Sequence, residues 1–153
     1  MSFRLVLAAG VGVVGLAATG AAAASTIAYT SLSPSSSHVW VMRGDGSEKD
    51  RLTSGSVVDS APSLAPGGRR LVFVRRRAGG RDDLFRASVA GSGVRRLTRS
   101  RLAEATPAWS PAPDLIAFSA GRAPGSSEIV VLEPDGSGRD RLTRNGVDDL
   151  DPA

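Results

Sequence analysis

Residues 104–118 read Glu104-Ala105-Thr106-Pro107-Ala108-Trp109-Ser110-Pro111-Ala112-Pro113-Asp114-Leu115-Ile116-Ala117-Phe118. After a Gly- and Ser-rich break, residues 128–143 read Glu128-Ile129-Val130-Val131-Leu132-Glu133-Pro134-Asp135-Gly136-Ser137-Gly138-Arg139-Asp140-Arg141-Leu142-Thr143. Pro, Gly, Asp and Ser cut this stretch into four apolar runs: residues 106–110, 115–118, 128–132 and 139–143. Each run has strand length, and β-branched residues are frequent. Asp135-Gly136 favours the positive φ values of a tight hairpin turn.

The unit repeats. Leu-Thr recurs at positions 52, 97 and 142, each time preceded by Arg (Arg51, Arg96, Arg141), a period of 45 residues. The same offset relates Pro62, Pro107 and Pro152, the acids Asp59, Glu104 and Asp149 three positions before each proline, and the Gly-Ser pairs at 46, 91 and 136. Four antiparallel strands in about 45 residues are the arithmetic of a β-propeller blade. A parallel β-solenoid is the other periodic all-β solution, but its coils are usually shorter and need no four-run unit. The middle runs, such as Leu71-Val72-Phe73-Val74 and Val39-Trp40-Val41-Met42, are apolar throughout, as expected for strands covered on both faces by neighbouring blades. The fourth run carries the Arg of an exposed outer edge, and proline falls in the first run, where an innermost strand leaves N–H groups unpaired.

Composition agrees. The 153 residues include 18 Gly and 9 Pro with only 5% aromatic residues, which suits short strands and turns better than a helical bundle. There is no Cys, so disulfides and thiolate chemistry are excluded, and one His (His38) is too few for a multi-histidine metal site. With 19 Lys plus Arg against 15 Asp plus Glu the net charge is only +4.

The segments Pro107-Ala108-Trp109-Ser110-Pro111, Ile116-Ala117-Phe118-Ser119, Glu128-Ile129-Val130-Val131, Asp135-Gly136-Ser137 and Leu142-Thr143 resemble the WD-like β-propeller repeat of the TolB family. The similarity covers roughly residues 27–153. The second copy departs from it, with Ser63-Leu64-Ala65-Pro66 in place of the tryptophan segment. The resemblance implies a periplasmic or cell-surface interaction scaffold. The same repeat also occurs in propellers attached to serine peptidases, so the alternative is the propeller part of a prolyl-oligopeptidase-like enzyme whose catalytic domain lies elsewhere. The α/β domain that precedes the propeller in TolB has no counterpart before these repeats.

Residues 1–24 combine Arg4, an apolar run and an Ala22/Ala24 A-x-A end, the pattern of a secretory signal peptide; an uncleaved N-terminal membrane anchor is the alternative. Blade repeats are expected at 25–58, 59–103 and 104–148, with 149–153 opening a further one. Counting back 45 from Pro62 lands on Ala17, so the first blade is expected to begin with its second strand, near Ile27. About three blades fall short of the ~4–8 that close a ring. Either the chain is part of a longer propeller, or two copies complete six blades as a homodimer.

Chemistry is sparse. No Ser lies in a G-x-S-x-G elbow, and His38 is expected at the entrance of a strand, in a Ser-rich turn. The Asp45-Gly46-Ser47 and Asp135-Gly136-Ser137 segments lack the distal Glu of a calcium loop and read as hairpin turns. The acids at 59, 104 and 149 either line a central channel or satisfy backbone groups between blades. Arg75-Arg76-Arg77 with Arg81, and Arg95-Arg96 with Arg99 and Arg101, make the middle repeat basic, but no aromatics interleave them and acids stand nearby, so nucleic acid is not expected. The reading is a non-catalytic, exported protein-binding module without metal or cofactor, and with no membrane partner after signal cleavage. Propellers bind through loops at one end of the channel, which points to Gly67, Gly68, Arg69, Pro113 and Asp114.

Overall fold

A computed structural model describes residues 15–17, 25–77, 79–122 and 125–153. Among these, every regular element is a strand. β1 (Gly15–Ala17), β2 (Thr26–Leu32), β3 (Ser37–Arg43) and β4 (Asp50–Arg51) form the first blade. β5 (Val58–Leu64), β6 (Arg70–Arg76), β7 (Asp82–Ser88) and β8 (Arg95–Arg96) form the second; β9 (Ala103–Trp109), β10 (Ile116–Gly121), β11 (Glu128–Leu132) and β12 (Asp140–Arg141) form the third. Neighbouring strands within each blade are antiparallel, and a single parallel pairing, Ser37 with Val58, links the first two blades. The sheets do not close into a ring.

One expectation is corrected. The first blade does not begin with its second strand, because Gly15–Ala17 pairs with β2 in the innermost position. The rest of the export segment expected over residues 1–24 lies outside the described residues.

The middle strands are buried on both faces. On β6, Leu71 and Phe73 pack with Ala28, Val39, Val41 and Leu52 of the first blade, while Val72 and Val74 pack with Trp109, Ile116 and Phe118 of the third. Strand alternation thus feeds two inter-blade cores from one apolar run.

The repeated Leu-Thr has a specific structural task. Each outer strand is two residues long, and the Thr beyond it replaces a missing ladder bond with its side chain. The N–H groups of Val39, Leu84 and Ile129 donate to Oγ1 of Thr53 (3.0 Å), Thr98 (2.9 Å) and Thr143 (2.9 Å). The preceding Leu N–H bonds the carbonyl of the same third-strand residue. Thr53→Val keeps the shape but orphans the Val39 N–H, so it is expected to cost about 1–3 kcal/mol, read from the urea midpoint; an unchanged midpoint would refute this role.

The repeated proline marks a bulge. Ala61 (φ 48°) and Thr106 (φ 47°), each just before a proline, are left-handed, and the pairing register of β5 and β9 shifts there. Asp151 before Pro152 adopts the same φ of 52°. The proline thus serves a kink in the innermost strand, beyond merely tolerating an unpaired edge.

Candidate functional site

The antiparallel order sends the chain back and forth between two ends of the blades. The loops at 65–70 and 110–115, joining first to second strands, share one end with the hairpins between third and fourth strands. The loops at 77–81 and 122–127 share the other end with the blade-to-blade linkers at 97–102 and 142–148.

At the first end the structure brings the two sequence-derived loops together. Gly67 (φ 82°) and Gly68 (φ 66°) make a turn closed by the Ala65 N–H to Arg70 carbonyl bond at 2.8 Å. In the next blade, Pro113 and Asp114 stand exposed in the corresponding turn. Trp109, buried beneath, donates its indole N–H to Asp114 Oδ1 at 2.5 Å and its backbone N–H to Ser63 Oγ of the second blade at 2.9 Å. Arg70 lies 3.7 Å from Asp114 Oδ2 and 5.3 Å above the Trp109 ring. The outcome is a patch spanning two blades, with Arg69, Arg70, Pro113 and Asp114 at its surface and Asp114 still 55% exposed. Sequence reasoning missed Arg70, although it adjoins Arg69, and did not foresee Trp109 as the group on which both loops rest.

Two of the three repeated acids, Asp59 and Glu104, are fully buried, whereas Asp149 is only partly buried and accepts the Asn145 side-chain N–H at 2.8 Å. Asp59 is fully buried and takes a two-point bond from Arg75, at 2.6 and 2.7 Å. Glu104, also fully buried, gathers Thr98, Ser100 and the Leu84 N–H from the second blade's side and Arg139 from the third. Glu104 bridges two blades through Thr98, Ser100 and the Leu84 N–H, close to one of the two sequence readings, whereas the Asp59–Arg75 pair joins β5 to β6 within the second blade. Asp45 and Asp135 cap hairpin turns, each accepting the N–H of the Ser two residues on, at 2.9 and 2.8 Å, and those Ser47 and Ser137 bonds lower their carboxyl pKa values. No group of three or more potential metal ligands exists among the described residues. His38 is the second residue of β3 and lies in the strand, half-buried, with Nδ1 unpartnered.

The other end carries two related cavities. One, of about 280 Å³, is lined by Arg77, Gly79, Arg81, Asp83, Arg96 and Ser100. The second, of about 300 Å³, includes Arg122, Ser126, Glu128, Arg141 and Asn145, each 45 positions after Arg77, Arg81, Asp83, Arg96 and Ser100. Glu128 reaches Arg141, Thr143 Oγ1 (2.7 Å) and the Asn145 N–H (3.1 Å), which lower its pKa, the Thr143 bond most strongly. Asp148 accepts the N–H groups of Ser127 and Gly125, both at 2.7 Å, and these bonds lower its pKa too. The 45-residue offset between linings was legible in the sequence; the cavities themselves were not.

A sequence profile of the TolB beta propeller domain matches residues 17–153. No curated protein sequence matches the chain. Among solved structures, the fold is similar to a TolB-type protein from Agrobacterium tumefaciens, with a TM-score of 0.69 and 24% identity over 77% of this chain and 45% of that one. TolB from Acinetobacter baumannii gives a TM-score of 0.66 and 21% identity over 80% of this chain and 30% of that one. Tricorn protease gives 0.57 and 17% identity over 88% of this chain and 13% of that one. The chain spans less than half the length of each of these proteins.

Proposed function

The chain belongs to the TolB beta propeller domain family, and on that premise we propose that it is an exported, non-catalytic scaffold that binds a protein partner of the cell envelope. The observation that carries this reading is the two-blade patch of Arg70, Trp109 and Asp114. Exposed loops fixed by cross-blade bonds enter an interface with little ordering cost, and arginine, here Arg69 and Arg70 at the surface, is among the residues enriched at the energetic centres of protein interfaces. The N-terminal A-x-A pattern supports export, and the single His with no Cys supports a non-catalytic role.

The test is capture of envelope proteins by the full chain, with bound species identified by mass. Arg69→Glu, at an exposed side chain of the same patch, is expected to weaken capture of a specific partner at least about tenfold with an unaltered thermal melt; equal capture by the variant would overturn the assignment. Loss of residues 1–24 from the purified protein, read by its mass, tests export. A solution mass twice that of the chain supports two copies completing a six-blade ring, and a monomer refutes it.

The likeness to tricorn protease favours a second reading, in which this is the propeller of a serine peptidase. An in-frame G-x-S-x-G in the polypeptide encoded beyond Ala153 would support it.

A further inference from the structure

The equivalent cavities of the second and third blades share a scaffold but not a charge. In the third blade Glu128 has both oxygens engaged, Asp148 adds a second carboxylate to the loop, and Ser126 stands where the second blade has Arg81. In the second blade three arginines line the cavity and Asp83 is the only acid. Its Oδ2 lies 2.9 Å from Arg96 and 3.8 Å from Arg77, while Oδ1 has no partner. Being one methylene shorter than Glu128, Asp83 repeats the arginine contact, to Arg96, but not the bonds that Glu128 makes to the Thr hydroxyl and the linker N–H. Arg81 has no ion pair among the described residues. Neither have Arg99 and Arg101, exposed on either side of Ser100 on the linker that borders the cavity. Arg77 and Arg81 from one arginine run and Arg96 from the other, separate in sequence, therefore line one opening against a single acid.

We propose that this middle-blade cavity binds the phosphate group of a phosphate ester. Guanidinium forks match a tetrahedral oxyanion with paired N–H donors. A phosphate offers several acceptor oxygens and close to two charges to cations that one buried carboxylate leaves uncompensated. Gly79, at φ 91° with nothing within 4 Å of where a Cβ would stand, leaves the rim open. The site lies at the opposite end of the blades from the protein-binding patch, so the two proposals fail separately.

The test is calorimetric titration of the full chain with glucose 6-phosphate and with glycerol 1-phosphate at low ionic strength, beside sedimentation with phosphatidic acid vesicles, whose headgroup is also a phosphate monoester. Arg81→Gln is expected to weaken binding about tenfold, the loss of one charge-assisted contact. Arg77→Gln should weaken it similarly. Lys49→Gln, an equal loss of charge at an exposed residue away from the cavity, should not. Binding of the soluble esters with that ordering supports a free phosphate ester as ligand. Arg81-dependent binding to vesicles alone supports the same chemistry on a lipid headgroup. Absence of binding to all three probes, or equal effects of Arg81→Gln and Lys49→Gln, overturns the proposal.

Discussion

Glu104→Ala is expected to destabilise the protein by about 3–5 kcal/mol, the range for breaking a buried ion pair from one side. The side chain is fully buried at the junction of the second and third blades. Oε1 accepts from Arg139 at 2.8 Å and from Ser100 at 2.9 Å; Oε2 accepts from Thr98 and, at 3.4 Å, from the Leu84 N–H. Truncation leaves two hydroxyls and a guanidinium without their acceptor, and it also opens a void. The Leu84 N–H keeps Thr98 Oγ1 at 2.9 Å, so the strand ladder itself survives. Glu104→Gln, which keeps the volume and loses the charge, should cost less. Arg139→Gln should approach the alanine value, because it strands a carboxylate in the interior. Urea unfolding with an unchanged slope is the measurement; a loss below about 1 kcal/mol for Glu104→Ala would show that the carboxylate does not hold the blades together.

Phe73→Ala should cost about as much, roughly 3–5 kcal/mol, by a different mechanism. Phe73 is fully buried between the first and second blades, its ring 6.0 Å from that of Phe85. The guanidinium of Arg75 lies 5.5 Å from the Phe73 ring and 5.0 Å from that of Phe85 while it clamps Asp59. Removing the ring therefore leaves a cavity and also takes away one wall of the seat that orients an arginine onto a buried acid. Phe73→Leu refills most of the volume and should recover more than half of the loss. Equal unfolding midpoints for the alanine and leucine variants would mean that the blades do not pack through this ring.

Neither variant touches the exposed loops, so partner capture by the folded fraction should persist in both. That separates stability from binding, since the Arg69→Glu test acts on an exposed surface side chain.

The propeller class was legible in the sequence because it depends on local, periodic quantities. Strand-length apolar runs, Asp-Gly turns and a 45-residue offset each follow from a few adjacent residues, and a blade is made from consecutive strands. The two loops proposed to bind were legible as turns, through Gly67-Gly68 and Pro111 with Pro113, but their convergence was not. That depends on Trp109 reaching Asp114 in its own turn while Arg70 comes in from the preceding blade, a meeting of residues about 40 positions apart.

The same limit explains what was misjudged. The innermost strand of the first blade was not foreseen, because Gly15–Ala17 lacks the acid and proline that mark this strand in the other two blades. The acids at 59 and 104 could be placed between blades but not partnered, because Arg75 and Arg139 lie 16 and 35 residues away. The sequence by itself determined the repeat, the strand order and the all-β class, since hydrophobic period and turn chemistry act between near neighbours. Only the tertiary structure decided which arginines are neutralised and which are left over: Arg75, Arg96 and Arg139 meet buried acids, while Arg81, Arg99 and Arg101 meet none among the described residues. Charge pairing falls off over a few ångströms, and such distances are set by how blades stack.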